Sequence, residues 1–391
     1  MSRTLYLLAL AVFAMGTSEF MLAGLVPDIA ADLGVPVGAA GLLTSLFAAG
    51  MVIGAPVMAA CARRFPLRTS LTTFLLVFAA AHVVAASTTS FALLLGTRVL
   101  AALANAGFLA VALRAATASV AADRRGRALA VLLAGTTLAM VLGVPAGALL
   151  GMLLGWRATF WAVALLCVPA LIGIVAGIRS GPPPEPERVS LRAELAQLRS
   201  PALAVVMVLA AAVNGATFAA FTFLAPVVTD TAGLDRSWIT LALMLFGIGS
   251  YLGVRLAGRL SDDRPGTVMF TGGPLLVLGW VALGIWAGHP WALLVLVFGQ
   301  GVLSFAVGAT LITRVLYAAS GAPTMAGSYA TAALNLGAVC GPAVAGLTLT
   351  GPAGPLGPVW TAAALSTVGV VCALFAPHLV AGFRGGSPTS R

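Results

Sequence analysis

Residues 5–27 read LYLLALAVFAMGTSEFMLAGLVP, and residues 204–226 read AVVMVLAAAVNGATFAAFTFLAP. Each stretch is long enough to cross a hydrocarbon core, which takes about 20 apolar residues in a helix. The two are also related to each other. In one register, Gly16, Leu25 and Pro27 align with Gly215, Leu224 and Pro226. The same register carries Leu42, Leu46, Phe47, Gly50, Gly54 and Pro66 onto Leu241, Leu245, Phe246, Gly249, Gly253 and Pro265. A register held through two apolar runs and a proline-marked loop identifies a duplicated unit. Alternating-access transporters place one site between two such units.

The rest of the chain agrees. Of its 391 residues 60% are hydrophobic and 8% charged, with mean hydropathy +1.07, whereas a soluble domain is about 25% charged. Lipid must be the solvent for most side chains, and helices satisfy their own backbone groups there. Apolar runs predict spans at 4–27, 38–61, 70–88, 90–113, 127–154, 156–178, 201–229, 236–260, 266–287, 289–314, 322–350 and 356–381. The expected fold is an all-α membrane protein with twelve transmembrane helices in two pseudo-symmetric six-helix bundles. The bundles span 1–178 and 201–391, and a polar linker over 179–200 joins them. That linker opens on the proline-rich run 181–187 and continues as the amphipathic piece Leu191–Leu198. Glu19 inside the first run, and the lack of a small-residue cleavage site, mark a retained span rather than a signal peptide.

The net charge is +10, but position matters more than sum. No soluble module carries a basic face, so nucleic acid is not an expected partner. All basic residues are arginine. Arg3, Arg63, Arg64, Arg68, Arg114, Arg124, Arg125, Arg127, Arg179, Arg188, Arg192, Arg199, Arg255, Arg259, Arg264, Arg314, Arg384 and Arg391 fall on one side of the expected topology. Only Arg157 and Arg236 fall in loops on the other. The positive-inside rule then puts both termini in the cytoplasm of a bacterial plasma membrane. Cys61, Cys167, Cys340 and Cys372 sit in or beside apolar runs without metal-like spacing. His82, His289 and His378 also lack such spacing and carry no assignment, so no metal site is expected.

Glu19 is the one acidic residue left inside a span. An ionised carboxylate in lipid is costly unless paired, protonated or facing water. A carboxyl so placed can load and release a proton, so Glu19 is the candidate coupling and substrate-orienting acid. A structural carboxylate locked to one partner is the alternative. Arg98 is the arginine well inside a span, and helical rise puts it about 12 Å from its end of span 4. Glu19 lies about 22 Å into span 1 from the other side, so in a core of about 30 Å their depths nearly coincide. Asn105, Asn214, Gln300 and Asn335 need hydrogen-bond partners in lipid. Each can line a substrate cavity or hold two helices together. Phe20, Phe108, Phe218 and Phe221 lie near them and can stack on an aromatic substrate or simply pack. The span 5 run 143–151, with Gly143, Pro145 and Gly147, and the span 11 run 337–346, with Gly341 and Pro342, are the expected flexible seam between the halves. Simple close packing is the alternative, and the two are compatible.

The chain resembles the major facilitator superfamily, in its twelve-span drug–proton antiporter branch. Residues 258–265, GRLSDDRP, resemble the signature loop G-x-L-[AS]-D-R-x-G, which implies gating roles for Asp262 and Arg264. The copy after span 2 departs from it, with arginine where the aspartate belongs. Leu94-x-x-x-Arg98 resembles the span-4 motif whose arginine is associated with proton transfer. The Gly-Pro segment of span 5 resembles the antiporter motif, with Val144 inserted. The strings at 16–24, 101–110, 214–226, 313–323 and 327–335 are similar to actinobacterial chloramphenicol efflux proteins.

That resemblance implies a proton-driven exporter of a small drug-like molecule, a phenicol above all. A sugar, another metabolite or another antibiotic is the alternative. The expected partners are the bilayer, the drug and protons; the chain is expected to act as a monomer and needs no cofactor beyond the proton gradient. A channel fits the duplicated halves and single buried acid less well. No Ser–His, Cys–His or metal constellation converges in the spans, so no catalytic residue is assigned and an enzyme is not expected.

Overall fold

A computed structural model of the chain describes residues 3–62, 65–118, 120–121, 124–178, 194, 196–260, 265–322 and 325–375. Among these, twelve helices are long and apolar enough to cross a membrane. Spans 1–6 are Arg3–Gly24, Val37–Met58, Leu67–Ser87, Phe91–Thr117, Arg125–Leu154 and Trp156–Gly177. Spans 7–12 are Pro201–Thr222, Ser237–Arg259, Gly266–Trp286, Pro290–Ala318, Ala326–Thr348 and Gly354–Phe375. Each expected span is present, with its ends moved by a few residues. The face on which span 1 begins at Arg3 is called proximal, and the opposite face distal.

Prolines set the irregularities. Pro27 cannot donate to residue 23 and its ring crowds that carbonyl. Span 1 accordingly tightens into a 3-10 turn at Met21–Gly24 and restarts as the short helix Val26–Leu33. Pro226, the repeat partner of Pro27, does the same to span 7, which ends at Thr222 and passes through a π turn at Val227–Thr231. In span 5, the π turn Ala139–Gly143 takes up the hydrogen bond that Pro145 cannot make. Spans 5 and 6 meet through the single residue Gly155, whose φ of 86° and ψ of 153° favour glycine.

Packing repeats with the sequence. Spans 1·5, 1·6, 2·4, 3·4 and 3·6 pack together in the first bundle. Spans 7·11, 7·12, 8·10, 9·10 and 9·12 pack in the same way in the second. The bundles meet along two equivalent lines, span 2 against span 11 and span 8 against span 5. Most of the 179–200 linker lies outside the described residues. Its described end docks on the proximal ends of spans 10 and 11, where the Tyr329 hydroxyl donates to the Glu194 carbonyl at 2.8 Å and Gln197 packs against Gly321.

The glycine seams correct one expectation. In span 5, Gly143 packs against Thr17 of span 1 and Gly147 against Thr159 of span 6. In span 11, Gly337 and Gly341 press on the span 7 backbone at Ala211 and Gly215. These four contacts therefore close each bundle internally, whereas Gly346, at the distal end of the same span 11 run, faces the other bundle. The close approaches between bundles are Gly38 to Gly346 and Gly247 to Met140, with Gly24 against Leu243 and Gly41 against Phe223. Most of these lie near the distal ends. Small residues serve wherever backbones approach, so a motif alone does not say which pair of helices it joins.

Candidate functional site

A cavity of about 210 Å³ lies between the bundles. Phe20 of span 1 and Thr136, Thr137 and Met140 of span 5 line one side. Asn214 and Thr217 of span 7, Ser250 and Val254 of span 8, and Ser304, Phe305, Gly308, Ala309 and Ile312 of span 10 line the rest, with Leu334 of span 11. Its wall is largely apolar, interrupted by hydroxyls and one amide, and holds no charged side chain. Val254 and Ile312 carry it into the proximal halves of spans 8 and 10. Distally, the Phe20 and Phe218 rings meet across the bundles at 5.7 Å. Phe221 packs on Phe246 at 4.7 Å, and Phe246 meets the cavity-lining Phe305 at 6.1 Å. Phe221 thus supports the wall from behind.

Beside Phe20, Glu19 points toward the first bundle. Its carboxyl is approached by the Asn105 side chain and lies within the field of Arg98. Arg98 and Glu19 come together in depth as span lengths predict, but they do not form a direct ion pair. The buried Arg98 instead donates from Nη1 to Ser18 Oγ at 2.9 Å and from Nη2 to the Ser18 carbonyl at 2.9 Å. Its guanidinium also lies 4.4 Å from the centre of the Phe47 ring, a cation–π contact that softens the cost of a buried charge.

The network continues to His82 of span 3. Ser18 Oγ is 2.6 Å from His82 Nε2, and His82 Nδ1 is 2.8 Å from the Phe78 carbonyl. Ser18, His82 and Arg98 are all but inaccessible, none exposing more than 1% of its surface. Sequence reasoning passed over Ser18 and left His82 unassigned. The available signal was that His82 lies well inside an apolar span, where a polar ring needs partners.

The other expected residues separate. Asn214 both lines the cavity and donates to the Leu334 carbonyl at 2.7 Å, tying span 7 to span 11. Gln300 is turned away, donating to the Leu276 carbonyl of span 9 at 3.1 Å. Asn335 donates to Thr331 in its own helix at 3.0 Å and does not line the cavity. Phe108 is fully buried within the first bundle. Helix rotation about its axis decides these outcomes, and no single residue type reports it. Asp262 and Arg264 lie outside the described residues. Among the described residues, no group of three His, Cys, Asp or Glu is placed to hold a metal.

Residues 8–323 match the family model of the Major Facilitator Superfamily. The chain is 63% identical over 377 residues to a chloramphenicol resistance protein of Streptomyces lividans, covering 94% of this chain and 95% of that one. It is 30% identical over 344 residues to the inner membrane transport protein YdhP of Escherichia coli K12, covering 88% of each. Among solved structures, a peptide transporter superposes with a TM-score of 0.76 at 15% identity, over 96% of this chain and 94% of that one. A bacterial homologue of the lysosomal transporter Spinster superposes at 0.69 and 16%, over 97% of each chain.

Proposed function

Because the chain belongs to the Major Facilitator Superfamily, we propose that it exports chloramphenicol or a related phenicol in exchange for protons, by alternating access. The observation that carries this reading is the 63% identity, over nearly the full length, to a Streptomyces chloramphenicol resistance protein. The cavity supports it. A phenicol is uncharged, with an aromatic ring, hydroxyls and an amide. Phe20 and Phe305 offer ring contacts, and Asn214, Thr217, Ser250 and Ser304 offer hydrogen-bond partners. A sugar would need polar partners over most of its surface, and this largely apolar wall argues against it.

In this reading the proximal face is cytoplasmic, and the distally closed arrangement is the one that loads drug. The arginine asymmetry supports that orientation. Both distal exceptions are neutralised, Arg157 by Asp32 at 2.6 Å and Arg236 by Asp28. The membrane is the bacterial plasma membrane. One chain is the working unit, since both halves of the same chain build the cavity. Glu19 is the coupling acid. It loads a proton when the distal side opens and releases it when the proximal side opens, while Arg98 tunes the carboxyl through its field.

The test is chloramphenicol uptake into everted membrane vesicles with an inside-acidic gradient. Accumulation that an uncoupler abolishes is the expected result. If chloramphenicol fails to accumulate while another compound does, the phenicol reading falls; accumulation that ignores the uncoupler removes proton coupling.

A further inference from the structure

A carboxylate and a guanidinium at the same depth in lipid ordinarily collapse into a pair, because nothing else compensates either charge as well. Here they do not, and the hydrogen-bond directions say why. The Phe78 carbonyl can only accept, so His82 Nδ1 carries a hydrogen. Arg98 can only donate, so Ser18 Oγ receives from Nη1. A neutral His82 ring then presents a lone pair at Nε2, and the Ser18 hydroxyl donates to it across 2.6 Å. The chain runs in one direction, from Arg98 through Ser18 to His82 and into the Phe78 carbonyl. The His82 ring is held in place between Phe78, at 4.2 Å, and Phe160, at 5.8 Å.

We propose that His82, acting through Ser18, is a positioning residue that holds Arg98 on span 1 and so keeps the Glu19 carboxyl free of a permanent ion pair. With His82 accepting its proton, the Ser18 hydroxyl turns its lone pairs to Arg98. Without that acceptor the hydroxyl rotates, Arg98 loses a partner, and Glu19 becomes the best remaining one. A carboxylate locked to a guanidinium no longer exchanges a proton, yet drug can still cross in exchange for drug. The inference rests on the reading of Glu19 as the coupling acid.

The experiment compares two activities of the full chain in everted vesicles: gradient-driven chloramphenicol accumulation, and chloramphenicol counterflow without a gradient. His82→Asn keeps a donor near Phe78 but cannot reach Ser18, and Ser18→Ala removes the hydroxyl. Each is expected to lower accumulation at least fivefold while counterflow stays within twofold. His82→Gln, whose amide oxygen can stand where Nε2 stands, is expected to restore most of the accumulation. Unchanged accumulation in His82→Asn, equal loss of both activities, or a Gln variant no better than Asn would each overturn the proposal. Glu19→Gln is the separate control. If it retains gradient-driven accumulation, the coupling reading itself fails, whatever the His82 variants do.

Discussion

Arg236, in the connection between spans 7 and 8, ion-pairs with Asp28 on the short helix that follows span 1. The pair crosses from one bundle to the other on the distal face, where Gly24, Gly38 and Gly41 also bring the bundles close. It is a latch on the closed end. Both side chains are partly exposed, at 56% and 22%, so its contribution is that of a surface pair, about 0.2–1 kcal/mol and weakened by salt.

Replacing Arg236 by Ala should therefore raise the distally open population by roughly 1.4- to fivefold. Distance distributions between spin labels on the two distal loops measure this directly. The effect should shrink at high ionic strength, and an unchanged distribution at low salt would show that the apolar contacts alone hold the end shut.

The seam between spans 7 and 11 is expected to tolerate no side chain. A Cβ at Gly341 would strike the Gly215 carbonyl, which is backbone and cannot swing aside. Gly341→Ala should cost about 1–3 kcal/mol and lower the melting temperature of the purified protein. Gly299→Ala, whose new methyl meets nothing within 4 Å, should be neutral or stabilising by about 0.5–1 kcal/mol.

Asn214 and Gln300 look alike in the sequence and should behave differently. Asn214→Ala removes both a cavity group and the span 7 to span 11 hydrogen bond. It is expected to raise the KM for drug as well as lower thermal stability. Gln300→Leu touches only the contact with span 9. It should change stability by about 1 kcal/mol and leave KM as it was.

Glu19→Gln removes the carboxyl that span 1 places beside the cavity, next to Asn105 and within the field of Arg98. Uncoupler-sensitive accumulation should disappear, measured at matched protein levels. Intact coupled export would assign Glu19 a structural role.

The twelve spans, their halves and their order were legible in the sequence. Lipid forces apolar helices of one length, and the duplication kept Pro27 and Pro226 in register. The depth match of Glu19 and Arg98 was legible for the same reason, since a helix rises by a fixed amount per residue. The cavity wall was only partly legible. Phe20 and Asn214 were foreseen, but Phe305, Ser250 and Ser304 were not, and Gln300 and Asn335 face elsewhere. In helices apolar all round, hydrophobic periodicity gives no rotation angle, so the face turned to the cavity is unmarked.

By itself, then, the sequence determined the solvent, the number of crossings, the duplicated architecture and the one acid a membrane must account for. Each is a matter of composition or of distance along a helix. The tertiary structure alone decided which side chains converge: that Gly143, Gly147, Gly337 and Gly341 close the bundles internally, and that Arg98 leans on Ser18, which bonds in turn to His82, rather than on Glu19. Those outcomes depend on the relative rotation and separation of helices far apart in sequence, which packing fixes and local chain chemistry does not.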